Sequence, residues 1–185
     1  EFAGIQFSIA TASYTIQSNL SGSFNCTNLA AAVALGRYFD VPAPAIVQAL
    51  TDYLPAMNRV EWRKTASNQV LLDAYNANPT SMSLSIENFA KWHKDGWLVL
   101  GDMFELGEES AAEHRAIVKL VQRINMEERC ILVGKHFGRT SWRGKQFPTT
   151  GDLKTYWREN GAPKDAAILL KGSRGIALEQ LLPLL

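Results

Sequence analysis

The stretch "WLVLGDMFELGEESAAEHRAIVKLVQRINMEERCILVG" (Trp97–Gly134) decides the fold. It reads as strand, polar loop, helix and strand. "WLVLGDM" and "CILVG" are short apolar runs without polar alternation. Between them, "EHRAIVKLVQRI" sets His114, Ile117, Val118 and Val121 on one stripe at helical spacing. Strands of this kind are buried on both faces, and amphipathic helices between them argue for a parallel sheet covered on two sides.

The same pattern extends in both directions. Downstream come a helix over "LKTYWREN" (153–160), a strand "AILLKG" (167–172) and a last helix from about Gly175 to Leu182. Upstream, "VEWRKTASNQVLLDAY" (60–75) predicts a hairpin turning at Ser67-Asn68. A helix follows with Met82, Ile86, Phe89, Ala90 and His93 on one stripe. Residues 58–185 therefore predict an α/β domain, a Rossmann-like mostly parallel sheet with helices on both faces.

Residues 1–57 follow a different pattern. Strands are expected at 2–9 and 14–18, joined by the polar link "ATAS". Helices are expected over "FNCTNLAAAVALGRYF" and "AIVQALTDYL", with Pro42 and Pro44 between them and Pro55 as the stop. A boundary is expected near Pro55–Asn58. The chain opens on "EFAGIQFSIA", already alternating, which is expected of a piece of something longer.

Composition narrows the class of function. A net charge of +1 supplies no basic field for nucleic acid or an anionic membrane. Cys26 and Cys130 lie far apart without ligand or C-x-x-C spacing, and read as buried thiols in a reducing compartment. No apolar run approaches the roughly 18 residues of a membrane span. The chain is expected to be cytoplasmic and monomeric.

Four polar clusters fall at the carboxyl ends of the predicted strands of the larger domain: "DAYNAN" (Asp73–Asn78), "GDMFELGEE", "GKHFG" and "KGSRG". Open α/β sheets form their ligand crevice at that edge, so a polar ligand is expected there. "KGSRG" (Lys171–Gly175) offers two cations, a hydroxyl and two glycines, which suits an anion. A serine-capped helix start with two solvated charges fits it equally well. Acids at a helix start account for Glu108 and Glu109 but not for Asp102. His114 is read as a core residue beneath the "GDMFELG" loop. His93 and His136 share no ligand spacing, so no zinc site is expected. A surface pair between Arg59 and Glu61 is the plain reading of those two charges. No G-x-x-x-x-G-K-[ST] occurs in the chain.

"N-x-x-N-x-A-A-A" (Asn25–Ala32), "NRVEW" (Asn58–Trp62), "LLDAYNANPTSM", "LGDMFELGEESAAEH" and "KGSRG" occur in this order along the chain. The set resembles the Mur ligases, and within them the members that join D-alanyl-D-alanine to UDP-N-acetylmuramoyl-tripeptide in peptidoglycan precursor synthesis. The resemblance implies a truncated C-terminal part of a central α/β ATPase domain at 1–57 and a whole C-terminal domain at 58–185. It implies ATP-dependent amide formation through an acyl phosphate. It puts the phosphate loop and the Mg2+ ligands upstream, so no catalytic residue is assigned within the chain and the chain alone is expected to be inactive.

Nucleotide contacts implied by the resemblance are Asn25 and Asn28 at the adenine, Arg59 at the ribose or phosphates, and Asp73 at the ribose hydroxyls. Implied substrate contacts are Tyr75, Asn76, Asn78, Lys171, Ser173 and Arg174. Two positions depart from the family pattern. Phe24 stands where a histidine is usual, and Asn58 where a glycine is usual. The alternatives are another Mur-type ligase, such as a folylpolyglutamate synthase-like enzyme, and a non-catalytic nucleotide- or peptide-binding module.

Overall fold

The computed structural model describes residues 2–9, 11–22, 25–54 and 60–185. Phe24, Asn58 and Arg59 lie outside the described residues, as does the Pro55–Asn58 boundary. The chain divides into two compact units, 1–56 and 57–185.

In the first unit, β1 (Phe2–Ile9) pairs antiparallel with β2 (Ala12–Ser21). The second strand is longer at both ends than its alternation predicts, and Ile9 is already the register partner of Ala12. Phe7 and Tyr14 are register partners and stack with ring centroids 5.3 Å apart. α1 (Asn25–Tyr38) and α2 (Ala43–Asp52) pack on this ribbon. Ala3, Ile16, Leu29, Val33 and Ile46 form the small core between them. Pro44 suits the first turn of α2, where its missing N–H has no helical partner to lose.

The second unit is built on a six-stranded sheet. Its strands are β3 (Glu61–Lys64), β4 (Gln69–Asp73), β5 (Trp97–Gly101), β6 (Cys130–Val133), β7 (Lys145–Phe147) and β8 (Ala167–Lys171). The spatial order is β3-β4-β8-β5-β6-β7. β3 is antiparallel to β4, as the expected hairpin requires, and every other pairing is parallel. The last strand in sequence thus lies inside the sheet, between β4 and β5.

Strand residues alternate between two cores. Leu98, Leu100, Cys130, Leu132 and Leu169 meet α3 (Pro79–Trp92) and α4 (Ser110–Arg123), which contribute Met82, Ile86, Phe89, Ile117 and Val121. Val70, Leu72, Val99, Ile131, Ile168 and Leu170 meet Leu153 and Trp157 of α5 (Thr150–Asn160), with Leu178 and Leu181. Each such side chain contributes roughly 1.5–3 kcal/mol on burial. The apolar runs of the inner strands follow from this two-sided burial. Burial also pushes the Cys130 thiol upward in pKa, so it remains an inert core residue.

Two elements differ from expectation. The final helix over 175–182 is replaced by 3-10 turns at Arg174–Ile176 and Leu178–Leu184. Ala177 between them is left-handed, at φ 57°, which ends any α-helical run. Leu178 and Leu181, three apart, share one buried face in 3-10 geometry. β7 was not apparent in the sequence, because its "KQF" residues sit at the sheet edge and only Phe147 is half-buried. At the opposite end of the strands, Asn68 donates from Nδ2 to the Pro163 and Leu185 carbonyls, and its Oδ1 accepts the Ala166 N–H. The hairpin turn thereby ties down the end of the chain.

Candidate functional site

The carboxyl ends of β4, β5, β6 and β8 lie along one edge of the sheet, and the chain leaves them in opposite directions. β4 and β5 lead into α3 and α4 on one face, whereas β8 leads into the 3-10 turns that pack beside α5 on the other. Neighbouring strands that part to opposite faces open a crevice at this point. Gly101 and Gly172 make the crevice floor close. A Cβ on Gly172 would stand 2.8 Å from the Gly101 Cα.

Asp73 and Lys171 end adjacent strands as register partners. Both follow the alternation of Leu71 and Leu169 and point toward the α3 face. Lys171 Nζ lies 2.5 Å from Asp73 Oδ2, and Ser85 Oγ of α3 donates to the same oxygen at 2.9 Å. Lys171 is 1% exposed and Asp73 7%. A buried charge is tolerated only with such a partner, and deleting one member of a buried pair typically costs about 3–5 kcal/mol. Lys171, implied as a substrate contact, here holds Asp73 in place. Ser85 was missed by the sequence reading. Its signal is a lone hydroxyl on a helix face otherwise made of Met82, Ile86 and Phe89.

The loops after β5, β6 and β8 are tied to one another. Ser173 N donates to the Asp102 carbonyl at 3.0 Å, and Ser173 Oγ accepts the Phe104 N–H at 2.9 Å. The Asp102 carboxylate accepts the N–H groups of His136 and Phe137, both at 2.9 Å. It therefore caps the turn at Phe137–Arg139, the account that acids at a helix start could not supply. His114 is fully buried beneath this loop, as expected, and uses both ring nitrogens. Nδ1 donates to the Ser110 carbonyl at 2.6 Å, and Nε2 accepts the Met103 N–H at 3.1 Å. That arrangement fixes the neutral tautomer. Burial lowers the His114 pKa most, against the opposing pull of Asp102.

The outward face of the rim is aromatic and cationic. The Arg174 guanidinium lies over Tyr75, 5.6 Å from the ring centroid. Phe104 is 39% exposed, and its edge would meet any Cβ on Gly175 at 2.7 Å. His136 meets Phe104 edge to face at 6.3 Å, and its Nδ1 is 3.1 Å from Ser110 Oγ. The clusters "GDMFELGEE" and "GKHFG" place Phe104 and His136 at this edge without singling them out, and Ser110 was missed. Asn76 is exposed on the loop after β4. Asn78 caps α3: its Oδ1 accepts the Ser81 N–H at 2.8 Å, and Ser81 Oγ accepts the Asn78 N–H.

Within the first unit, Asn25 is buried at the start of α1, and Asn28 Nδ2 donates to its Oδ1 at 3.0 Å. At the start of β3, Glu61 is paired with Arg63 at 2.7 Å. Among the described residues, no group of three or more His, Cys, Asp or Glu side chains is placed to hold a metal ion.

Residues 58–174 match the family described as "Mur ligase, glutamate ligase domain". The chain is 31% identical over 192 aligned residues to UDP-N-acetylmuramoyl-tripeptide–D-alanyl-D-alanine ligase of Bacillus subtilis, covering 96% of this chain and 41% of that protein. It is 32% identical to the Escherichia coli enzyme of the same name, over 96% of this chain and 40% of that protein. The crystal structure of MurF from Acinetobacter baumannii superposes with a TM-score of 0.79 at 26% identity, covering 98% of this chain and 42% of that one. The chain spans about two fifths of the length of these relatives.

Proposed function

The chain belongs to the Mur ligase family, and from that premise we propose that it is part of an ATP-dependent ligase joining D-alanyl-D-alanine to UDP-N-acetylmuramoyl-tripeptide. The carrying observation is the rim itself. The loops after β5, β6 and β8 meet there, cross-linked by Asp102, Phe104 and Ser173, around a crevice floored by Gly101 and Gly172.

ATP, as substrate, would give its γ-phosphoryl group to the tripeptide carboxylate, and the D-alanyl-D-alanine amine would then displace phosphate to form the amide. Chemistry of this kind depends on positioning and on exclusion of water. Asp73 supports a nucleotide role because Oδ2 alone carries its hydrogen bonds, and Oδ1 receives none from the described residues. A vicinal diol offers two O–H donors to such an acceptor. Arg174 and Tyr75 present a cation on an aromatic plate, suited to a peptide carboxylate, with Asn76 beside them. Asn25, Asn28 and Arg59 are proposed to contact the nucleotide as well. Magnesium ligands are proposed to lie in the longer protein, outside this chain.

The test is a substrate panel on the full-length protein. ADP release should require both the tripeptide and D-alanyl-D-alanine, and glutamate or another single amino acid should not replace the dipeptide. Turnover with glutamate and not with D-alanyl-D-alanine would overturn the assignment. The 185-residue chain alone, which contains no G-x-x-x-x-G-K-[ST], should release no ADP under the same conditions.

A further inference from the structure

We propose that Lys171 is a positioning residue for Asp73, acting together with Ser85, and makes no contact with the peptide substrate. This rests on the reading of Asp73 as the acceptor for the nucleotide's ribose hydroxyls. The inference comes from how the two carboxylate oxygens are used. Oδ2 takes the Lys171 ammonium at 2.5 Å and the Ser85 hydroxyl at 2.9 Å, from two different elements. Oδ1 takes no hydrogen bond from the described residues, and about a tenth of the Asp73 side chain remains accessible. One oxygen is anchored and the other is presented.

The anchors matter because a carboxylate turns readily about its last torsion, whose profile is broad and two-fold. A free aspartate would exchange its oxygens and tilt its plane, which spoils simultaneous acceptance from two neighbouring hydroxyls. A charge-assisted bond on one side and a helix hydroxyl on the other fix that plane. The placement also removes Lys171 from the peptide's reach. Its side chain is 1% exposed, and its ammonium is committed inside the crevice wall beneath α3. The cation left at the rim surface of "KGSRG" is Arg174, which is exposed.

Steady-state kinetics of the full-length protein, with ATP and with 2′,3′-dideoxy-ATP, test the proposal. The unaltered protein should favour ATP. Lys171→Met should raise KM for ATP about tenfold, the loss expected when a charged hydrogen-bonding group is misplaced. It should also shrink the preference for ATP over the dideoxy analogue and leave KM for D-alanyl-D-alanine unchanged. Ser85→Ala, which removes the milder anchor, should shift the same two quantities in the same direction by a smaller factor. With Asp73→Asn already in place, adding Lys171→Met should produce no further change in KM for ATP.

Should Lys171→Met fail to fold, Ser85→Ala and the doubly neutral Asp73→Asn/Lys171→Met protein carry the comparison. A rise in KM for D-alanyl-D-alanine with nucleotide preference intact would overturn the proposal and make Lys171 a peptide contact. A fall in melting temperature with every KM and the dideoxy ratio unchanged would reduce Lys171 and Ser85 to structural roles. Asp73→Asn that leaves both KM for ATP and the ratio untouched is a separate failure. It would remove Asp73 from the nucleotide site and take the positioning role with it.

Discussion

The Asp102 carboxylate occupies the space that a side chain at Gly134 would need. A Cβ built on Gly134 stands 2.1 Å from the Asp102 carboxyl carbon, and Gly134 itself has φ +130°, where L side chains are rarely found. Asp102 can reach the His136 and Phe137 amides only because residue 134 has no side chain.

Gly134→Ala should therefore destabilise the second unit more than an ordinary surface change. Clash and backbone strain act together, and the expected loss is about 2–4 kcal/mol. Chemical denaturation of the 185-residue chain would measure it. A loss under about 0.5 kcal/mol would mean that the loop gives way easily.

Asn78 should prove to be a cap first. Asn78→Ala removes the acceptor for the Ser81 N–H and should cost about 0.5–2 kcal/mol, whereas Asn78→Asp or Asn78→Ser should restore most of that. Melting curves of the three variants decide it. Equal stability of all three with altered D-alanyl-D-alanine KM would instead assign the side chain to substrate.

Stability should fall on acidification partly through His114. Its folded-state pKa is depressed below 6.5, chiefly by burial, so the unfolded chain binds the proton more readily. The neutral form's contribution is full above the unfolded value and is lost as pH falls through the folded one. Between pH 7 and pH 5 the melting temperature should drop, and His114→Gln should drop less over the same interval. Burial lowers the His93 pKa as well, so part of the slope should persist in that variant. Parallel curves for the two proteins would assign the acid sensitivity elsewhere.

Arg59 carries a prediction drawn from sequence. The plain reading paired it with Glu61, but Glu61 receives both Nε and a terminal nitrogen of Arg63. Arg59→Lys in the full-length protein should lower kcat/KM for ATP about tenfold with unaltered melting, because a planar fork is lost while the charge stays. Full activity of the lysine and alanine variants would end the nucleotide role.

The sheet was readable because its inner strands are buried on both faces, and two-sided burial leaves an unmistakable apolar run such as "CILV" or "AILL". The hairpin before Asp73 was readable from its turn. β7 was not, since an edge strand needs little apolar surface. The final turns were misread because Ala177 gives no local warning of its left-handed backbone. At the rim, side-chain type located the polar loops but not the partners within them. Lys171 looks like a free cation in "KGSRG", and only the register of β4 against β8 reveals the carboxylate beside it. The cap made by Asn78 was hidden too, because capping depends on where a helix starts.

The place of β8 inside the sheet has a consequence for biosynthesis. Asp73 and Lys171 are 98 residues apart in sequence yet adjacent in the fold. As the chain leaves the ribosome, β4 and β5 emerge early, each with an unpaired hydrogen-bonding edge, and the strand that fills the gap emerges last of the eight. Non-local closure of this kind is slow, and open edges attract other chains in the meantime. The nascent protein is thus most exposed to mispairing during the interval in which α4 and α5 are being made, and the Asp73 carboxylate acquires its lysine only when that interval ends.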